Sequence, residues 1–465
     1  MNHPDRLLPS EPHLRSIART LYECVANAPI VSPHGHTDAR WFAADEPFPN
    51  PTELFITPDH YVFRMLYSQG VPLGELGIPD ARGERGDAAP EAVWRLFAQH
   101  YRLFRGTPSR MWLDQVFAEV FGLDAPLTPA NADRYYADID AALRTPAFRP
   151  RALFDRFNIE VLATTESPLD ALDDHARIRA SDWQGRVITT FRPDPVLDPE
   201  FEGFAANVVA LGERYGEDTS AFPGYLRALR RARQVFIDHG ATATDHGHPS
   251  ARTELLGDVE AAALFQTVLG APTAAEAERF RAHMLTEMAR MSLDDGLVMQ
   301  LHPGSRRNHN AWLFERFGRD KGADIPGATD YVDALRPLLS AYGNEPDFTL
   351  IVFTLDETSY SRELAPLAGH YPCLKLGPAW WFHDSPEGMR RFREQTTETA
   401  GFYNTVGFND DTRAFLSIPA RHDMARRIDC GFLARLVAEH RLTESEAAEV
   451  AADLAGPLAR AAYRL

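Results

Sequence analysis

Two histidines separated by one residue, His34 and His36, are the side chains of this chain best suited to chemistry. They follow a short apolar run at residues 28–31, which predicts a β-strand that ends at the pair. Alternate residues of a strand point to the same face, so both imidazoles can reach one metal ion. The spacing therefore predicts a metal centre at the carboxyl end of a first strand. Chance is the alternative, because the chain contains 17 histidines.

A carboxylate at the end of a later strand would complete this centre. Asp410 and Asp411 follow the last apolar run of the chain, and we favour Asp411 as the ligand. Two neutral imidazoles and one carboxylate suit zinc or a similar divalent ion with open coordination positions. A solvated turn or a helix cap is the alternative for either aspartate. No lysine ends the fourth apolar run of the chain, residues 241–246. We therefore expect one divalent metal rather than two metals bridged by a carbamylated lysine.

Eight apolar runs ending in polar residues predict the strands that must position these groups. Helical segments follow several of them, for example at residues 274–291, 331–341 and 387–399. Eight strands alternating with helices predict an α/β fold, a closed (β/α)8 TIM barrel with its active site at the carboxyl ends of the strands. The predicted strands cover residues 30–36, 159–165, 187–192, 241–246, 297–302, 349–356, 373–377 and 405–411.

The stretch between the first two strands is too long for a loop. Its apolar pattern predicts a mostly helical insertion, with helices near residues 91–105 and 110–121. At the other end of the chain, residues 420–465 predict two helices that close the barrel. The expected organisation is an N-terminal segment with the first strand at 1–36, the insertion at 37–150, and the remainder of the barrel at 151–465.

Bulk composition narrows the possible partners and the compartment. A net charge of −18 argues against nucleic acid and against an anionic membrane, since both bind basic surfaces. The three cysteines include no CxxC pair, which predicts a reducing environment without disulfides. The N-terminus lacks an apolar signal segment and no run is long enough to span a membrane, so we expect a cytoplasmic protein. We also expect a homo-oligomer.

Seven stretches rich in chemistry-bearing residues are spread over almost the whole chain. They are His34-Gly35-His36, Asp59-His60-Tyr61, Thr190-Phe191-Arg192-Pro193-Asp194, Asp245-His246-Gly247, Leu301-His302 through Arg307-Asn308, Ala379-Trp380-Trp381-Phe382, and Asp411-Thr412-Arg413 continuing to Arg421-His422. In type and order they resemble the uronate isomerase (glucuronate isomerase) family of the amidohydrolase superfamily. The sequence departs from the family pattern at Gly35 and at His309, which bears on substrate preference more than on reaction class.

The resemblance implies a fold and an activity. The fold would be a barrel of the metal-dependent hydrolase type with a helical insertion after strand 1 and C-terminal helices. The activity would be an aldose–ketose isomerisation that interconverts D-glucuronate with D-fructuronate, and D-galacturonate with D-tagaturonate. The partner is then a small uronic acid.

Arginines suit such a substrate because their planar fork binds a carboxylate through two charge-assisted hydrogen bonds. Arg192, Arg307 and Arg413 follow predicted strands, and Arg64 lies in the insertion. We predict that Arg64, Arg192 and Arg307 bind substrate. For each arginine, a purely structural ion pair is the alternative.

Aromatic and imidazole side chains are further candidates for substrate contact. Trp380 and Trp381 could cover a sugar ring, or they could only pack in the core. His246 and His302 are candidates for a further metal ligand and a substrate contact. The alternative for both histidines is hydrogen bonding behind the site.

Isomerisation moves a proton between C2 and C1 through an enediol, which needs a base near C2 and an acid or Lewis acid at the carbonyl oxygen. We predict that Asp411 is both metal ligand and base, and that Tyr61 or His60 transfers a proton at an oxygen. Arg413, or the metal, would stabilise the enediolate. Because the reference pKa of aspartate is about 3.9, Asp411 can act as a base only if the site raises its pKa or geometry compensates.

Two other functions are open to the same residues. A metal-dependent hydrolase could use the same histidine–aspartate centre to activate water. A sugar-acid binding protein without catalysis is the second alternative. It predicts the loss of at least one of His34, His36, Tyr61 and Asp411, and all four are present.

Overall fold

The computed structural model describes residues 3–465, and a parallel β-sheet lies at its centre. Residues 1 and 2 of the predicted N-terminal segment lie outside the described residues. The strands within the described chain are β1 Ile30–Ser32, β2 Ile159–Glu166, β3 Arg186–Phe191, β4 Ala243–His246, β5 Val298–Leu301, β6 Ser305–Arg306, β7 Ile325–Pro326, β8 Leu350–Val352 and β9 Leu374–Leu376.

Seven of these strands form one curled sheet in the order β1-β2-β3-β4-β5-β8-β9, and every neighbouring pair in it is parallel. Each strand thus pairs with its sequence neighbours in that sheet, as repeated strand–helix units require. The short strands β6 and β7 form a separate antiparallel pair after β5, which the sequence analysis did not predict. The parallel α/β architecture is confirmed.

The eighth predicted strand, residues 405–411, is wrong as a strand. Only Thr405 forms a bridge, to Leu376 of β9, because Gly407 (φ +74°) and Asp411 (φ +37°) leave the extended conformation. The same segment nevertheless reaches β1 at its other end, where the amide of His36 donates to the carbonyl of Thr412 over 3.0 Å. An irregular segment therefore lies between β9 and β1.

Helices follow the strands and also fill the long connection after β1. In the described chain they are α1 Pro12–Val25, α2 Ala39–Ala44, α3 Pro51–Phe55, α4 His60–Tyr67, α5 Pro90–His100, α6 Pro108–Gln115, α7 Ala132–Leu143, α8 Pro150–Arg156, α9 Asp173–Ala180, α10 Asp194–Leu197, α11 Phe204–Tyr215, α12 Phe222–Asp238, α13 Asp258–Val268, α14 Ala274–Asp295, α15 Ala311–Phe317, α16 Val332–Tyr342, α17 Ala365–Ala368, α18 Pro386–Ala400, α19 Ile418–Ala438, α20 Glu444–Leu454 and α21 Pro457–Tyr463. The helices predicted near residues 274–291, 331–341 and 387–399 are confirmed as α14, α16 and α18.

The sheet is buried on both faces, which explains its apolar strands. In β5 and β8, Val298 and Ile351 belong to an inner cluster, whereas Met299, Leu350 and Val352 belong to the outer core beneath the helices. Successive strand residues alternate between the two faces, so one strand contributes to both cores.

Three C-terminal helices, not the predicted two, follow residue 418. The chain breaks after α20 because Pro457 cannot continue a helix but is well suited to begin one. The resulting helix α21 places Tyr463 in the inner cluster, where its hydroxyl donates to Gln300 Oε1 (3.0 Å) and accepts from Asn409 Nδ2 (3.3 Å). Helix α21 therefore packs against the inner face of the sheet.

Helices α2–α7 lie within the predicted insertion, residues 37–150, and carry an aromatic core of their own. Trp94, Phe97 and Phe117 are fully buried there. The same cluster includes Ile30 of β1 and Leu162 of β2, so the helical segment is packed onto the first two strands. The division of the chain into three parts stays a prediction. Among the helices of residues 3–465, none combines the length and apolar character needed to cross a membrane.

Removing the Tyr463 side chain should destabilise the protein. Tyr463→Ala leaves a cavity at a fully buried position and is expected to lower the free energy of unfolding by about 3–5 kcal/mol. Urea denaturation measures this change. Tyr403→Ala is the matched control, because Tyr403 is 51% exposed and its loss is expected to change stability by less than about 0.5 kcal/mol. Equal effects of the two substitutions would contradict the packing role of α21.

Candidate active site

A cavity of about 330 Å³ opens at the carboxyl ends of the parallel strands. Strand ends converge there because all seven strands of the sheet run in the same direction. The predicted site residues that line the cavity are His34, His36, His60, Tyr61, Arg192, His302, Arg307, Trp380, Trp381, Asp411 and Arg413.

Asp411 lies beside His34 and His36, just after the carboxyl end of β1. The Nε2 atoms of His34 and His36 lie 3.6 and 3.1 Å from Oδ1 of Asp411. The other oxygen, Oδ2, accepts a hydrogen bond from Trp380 Nε1 over 2.5 Å. Asp410 lies elsewhere, with its Oδ2 atom 3.0 Å from His422 Nε2. The structure thus brings together the three predicted ligands and places Asp411, not Asp410, among them.

A second buried set adjoins the first. His302 Nδ1 lies 2.6 Å from Asp245 Oδ1, while Asp245 Oδ2 lies 4.0 Å from His34 Nε2 and 3.0 Å from Arg192 Nη1. Burial raises the pKa of Asp245, but Arg192 and the histidines outweigh it and hold the pKa well below its usual range. Asp245 therefore links an arginine to the histidine centre as a carboxylate.

The donor set fits a divalent metal ion. His34, His36 and Asp411 present one ligand atom each within 4.8 Å of one another, and so do His34, Asp245 and His302. The Nε2 atom of His302 is buried and has no hydrogen-bond partner, whereas Asp411 Oδ1 and Asp245 Oδ2 have ion-pair partners in His36 and Arg192. An unsatisfied buried imidazole nitrogen is costly unless something such as a metal ion compensates it. Burial also lowers the pKa of His34 to about 4, which keeps it neutral as a metal ligand must be.

Asp411 could act as a base if the site raised its pKa, but the site does the opposite. Burial raises it, but the neighbouring His34 and His36 outweigh burial and hold the pKa well below the usual range. Of the two routes open to Asp411, only favourable geometry is left. Its backbone has a φ of +37°, a conformation that few residues other than glycine adopt.

His60 and Tyr61 are held at the cavity by a helix cap. The side chain of Asp59 accepts from the amide of Tyr61 (2.8 Å) and begins α4 there. Burial, with a further contribution from Arg413, lowers the pKa of His60 to about 3. Burial also raises the pKa of Tyr61 well above its ordinary value. At neutral pH the cavity wall thus offers a neutral imidazole and a protonated phenol.

One predicted arginine contacts one predicted tryptophan at the cavity wall. Arg307 places its Cζ atom 5.2 Å from the Trp381 ring centroid, and His60 makes an edge-on contact with the same ring. Trp380 packs edge-on against His302, at 4.7 Å between ring centroids. Trp380 is therefore both a core residue and a hydrogen-bond donor to the site.

Two predicted substrate-binding residues do not line this cavity. His246 is fully buried behind it, where its Nε2 atom lies 3.1 Å from Thr244 Oγ1 and its ring faces His248. It follows Asp245 on the strand, and alternation turns it to the opposite face. The Cζ atom of Arg64 lies 5.1 Å from the Phe382 ring centroid and 5.8 Å from that of Tyr61. Neither side chain lines the cavity, and the predicted contact of these two residues with substrate stays a prediction.

Sequence reasoning assigned no role to other residues that line the cavity, among them Glu166, Asp245, Arg319 and Asp320. Glu166 and Asp245 were recoverable, because each sits at the carboxyl end of a strand. Arg319 and Asp320 lie in the connection between α15 and β7, and no periodic pattern marks that loop as part of the site.

The fold and the site together define an α/β enzyme whose active site is compatible with a divalent metal ion. A family model described as glucuronate isomerase matches residues 12–456, so the chain belongs to the glucuronate isomerase family. It is 69% identical over 467 residues to a uronate isomerase of Sphingopyxis alaskensis, covering 99% of this chain and 98% of that relative.

Solved structures agree with this membership. A glucuronate isomerase of Caulobacter crescentus superposes with a TM-score of 0.99 at 62% identity, covering 100% of this chain and 97% of that one. A putative metal-dependent hydrolase of Lactobacillus casei has a TM-score of 0.53 at 14% identity, covering 96% and 97% of the two chains. The second likeness concerns the fold alone.

Glu166 should make stability depend on pH. Burial raises its folded-state pKa to about 7 from 4.5, so its contribution favours folding at low pH and is lost as pH rises through 7. Glu166→Gln has no carboxyl group to ionise at this position, so it does not lose this stability. The melting temperature of Glu166→Gln minus that of the wild type is therefore expected to increase from pH 5 to pH 8. Glu315→Gln is the control, because that side chain is 82% exposed. A Glu166→Gln difference that stays constant over this range would contradict the prediction.

Proposed function

We propose that this enzyme interconverts D-glucuronate with D-fructuronate, and D-galacturonate with D-tagaturonate, by proton transfer through an enediol. The main observation behind the proposal is that the Asp411 carboxylate contacts both His34 and His36. Arginines line the same cavity, and the chain belongs to the glucuronate isomerase family. The family supports an isomerase over the hydrolase and the non-catalytic binding protein that the residues alone left open.

The proposed architecture is a (β/α)8 barrel of the metal-dependent hydrolase type, with residues 37–150 inserted after strand 1. The irregular segment between β9 and β1 supports closure, because it bonds to Leu376 on one side and to His36 on the other. Residues 1–36 would then carry the first strand and 151–465 the rest of the barrel.

Asp411 is the proposed base at C2. Its oxygens are fixed by the histidines and by Trp380, so geometry rather than a raised pKa brings the carboxylate to the proton. We propose that Tyr61 and His60 transfer a proton at the sugar oxygens. The protonated phenol of Tyr61 can donate a proton, and the neutral imidazole of His60 can accept one. Arg413, on the same wall, would stabilise the negative charge of the enediolate.

The remaining wall residues are the proposed substrate contacts. Arg192 and Arg307 present cationic groups to a carboxylate or hydroxyls, and Trp380 and Trp381 present flat faces to the sugar ring. His302, hydrogen-bonded to Asp245, would contact either the substrate or the metal.

One divalent metal, proposed as zinc, would be held by His34, His36 and Asp411. When bound, it would supply a Lewis acid that polarises a substrate oxygen. The proposed compartment is the cytoplasm, in keeping with three free cysteines. A homo-oligomer stays a prediction.

Proton NMR in D2O tests the activity. Metal-loaded protein is expected to convert D-glucuronate into the ketouronate, and deuterium at C1 of the product would show exchange of the transferred proton with solvent. The same experiment with D-galacturonate gives the relative preference. A folded, metal-loaded sample that converts neither sugar would contradict the proposed reaction.

Substitution of the proposed base tests the assignment. Asp411→Asn is expected to lower kcat/KM by about 10²–10⁴-fold, because it removes the proton acceptor and weakens the metal site. Asp182→Asn, at an exposed loop, is the control with unchanged activity. Turnover of Asp411→Asn near the wild-type rate would overturn the assignment.

Metal content can be measured independently of activity. Elemental analysis of the purified protein is expected to find about one divalent ion per chain, and much less in His36→Ala, which loses one of three ligands. His309→Ala removes an exposed imidazole and should keep the metal. Full occupancy in His36→Ala, or two ions per wild-type chain, would be inconsistent with the proposed centre.

A further inference from the structure

The cavity wall carries more negative than positive side chains. Within residues 3–465, eight carboxylates and four arginines line it. An anionic substrate in such a cavity is repelled unless it meets a cation that is not already neutralised. The carboxylates are Asp59, Glu166, Asp194, Asp198, Asp245, Asp320, Asp324 and Asp411.

Three of the four arginines are already paired with carboxylates of the wall. A carboxylate partner neutralises the charge of a guanidinium and occupies at least one of its donors. The closest pairs are Arg192 Nη1 with Asp245 Oδ2 at 3.0 Å, Arg307 Nη1 with Asp324 Oδ2 at 2.9 Å, and Arg413 Nη2 with Asp320 Oδ2 at 3.2 Å.

Arg319 is the exception. No carboxylate oxygen of the described chain lies within 4.0 Å of its guanidinium, and its buried Nε atom has no hydrogen-bond partner. Its Cζ atom lies 4.1 Å from the ring centroid of Phe201, another cavity residue. Stacking on an aromatic face orients a guanidinium while leaving the donors at its edge free.

The backbone around Arg319 presents it to the cavity. Gly318 and Gly322 have φ values of +77° and +71°, and Asp320 between them has a φ of +60°. These left-handed residues turn the chain sharply, so that both Arg319 and Asp320 line the wall. Asp320 is paired with Arg413, which leaves Arg319 as the unpaired arginine among the described residues that line the cavity.

We propose that Arg319 binds the carboxylate of the sugar acid and determines the preference for an acid over a neutral sugar. This inference rests on the proposed function. The pair would be a two-pronged guanidinium–carboxylate contact, for which Arg319 need not give up an existing ion pair.

Calorimetric titration with two substrate analogues tests this role without turnover. L-Gulonate is D-glucuronate with its aldehyde reduced, and D-glucitol is the same molecule with the carboxylate also replaced by a hydroxymethyl group. Arg319→Gln is expected to weaken L-gulonate binding by about 10- to 100-fold and to leave D-glucitol binding unchanged. The KM for D-glucuronate should rise with it, while kcat changes less.

Two further variants separate charge recognition from folding. Arg316→Gln changes an exposed arginine three residues earlier in the chain and should alter neither ligand's affinity. Arg319→Lys keeps the charge but loses the planar fork, so its preference for L-gulonate should fall between wild type and Arg319→Gln. A wild-type preference for L-gulonate in both Arg319 variants, or equal weakening of both ligands, would overturn the proposal. A wild-type enzyme that isomerises neither uronate would instead overturn the proposed function.

Discussion

The contact between Asp411 and the two histidines joins the end of the sheet to its beginning. His36 reaches the last segment twice, through its imidazole to the Asp411 carboxylate and through its amide to the carbonyl of Thr412. The sheet brings these groups together only if all intervening strands are in place. Assembly of the candidate metal centre therefore depends on completion of the whole parallel sheet.

Strained backbone is concentrated around the same cavity. Asn308, Asp320, Trp381 and Asp411 all line it, and all have positive φ values although none is glycine. Such conformations cost free energy and persist only where the surrounding packing compensates them. At Asp411, the histidines and Trp380 supply that compensation. The stable sheet thus supports a rim whose local conformations would not form by themselves.

Positive charge in the cavity is balanced by individual ion pairs, although carboxylates outnumber arginines on the wall as a whole. Ion pairs hold most wall arginines in place and keep carboxylates such as Asp245 ionised at depth. Buried pairs of this kind contribute orientation more reliably than they contribute stability. The cavity can therefore be rich in carboxylates and still accept an acid, provided that one cation stays free.

Short-range patterns in the sequence determined much of this protein. Apolar runs located seven strands of the sheet, and strand alternation assigned His34 and His36 to one centre, because these features depend only on neighbouring residues. Tertiary structure alone decided the rest. Gly407 and Asp411 turned the eighth predicted strand into an irregular segment, and alternation at β4 placed Asp245 in the cavity and His246 behind it. Arg319 and Asp320 reach the wall from a loop that has no periodic pattern. Which charges of the wall are paired also depends on tertiary structure, because the partners lie in segments far apart in the chain.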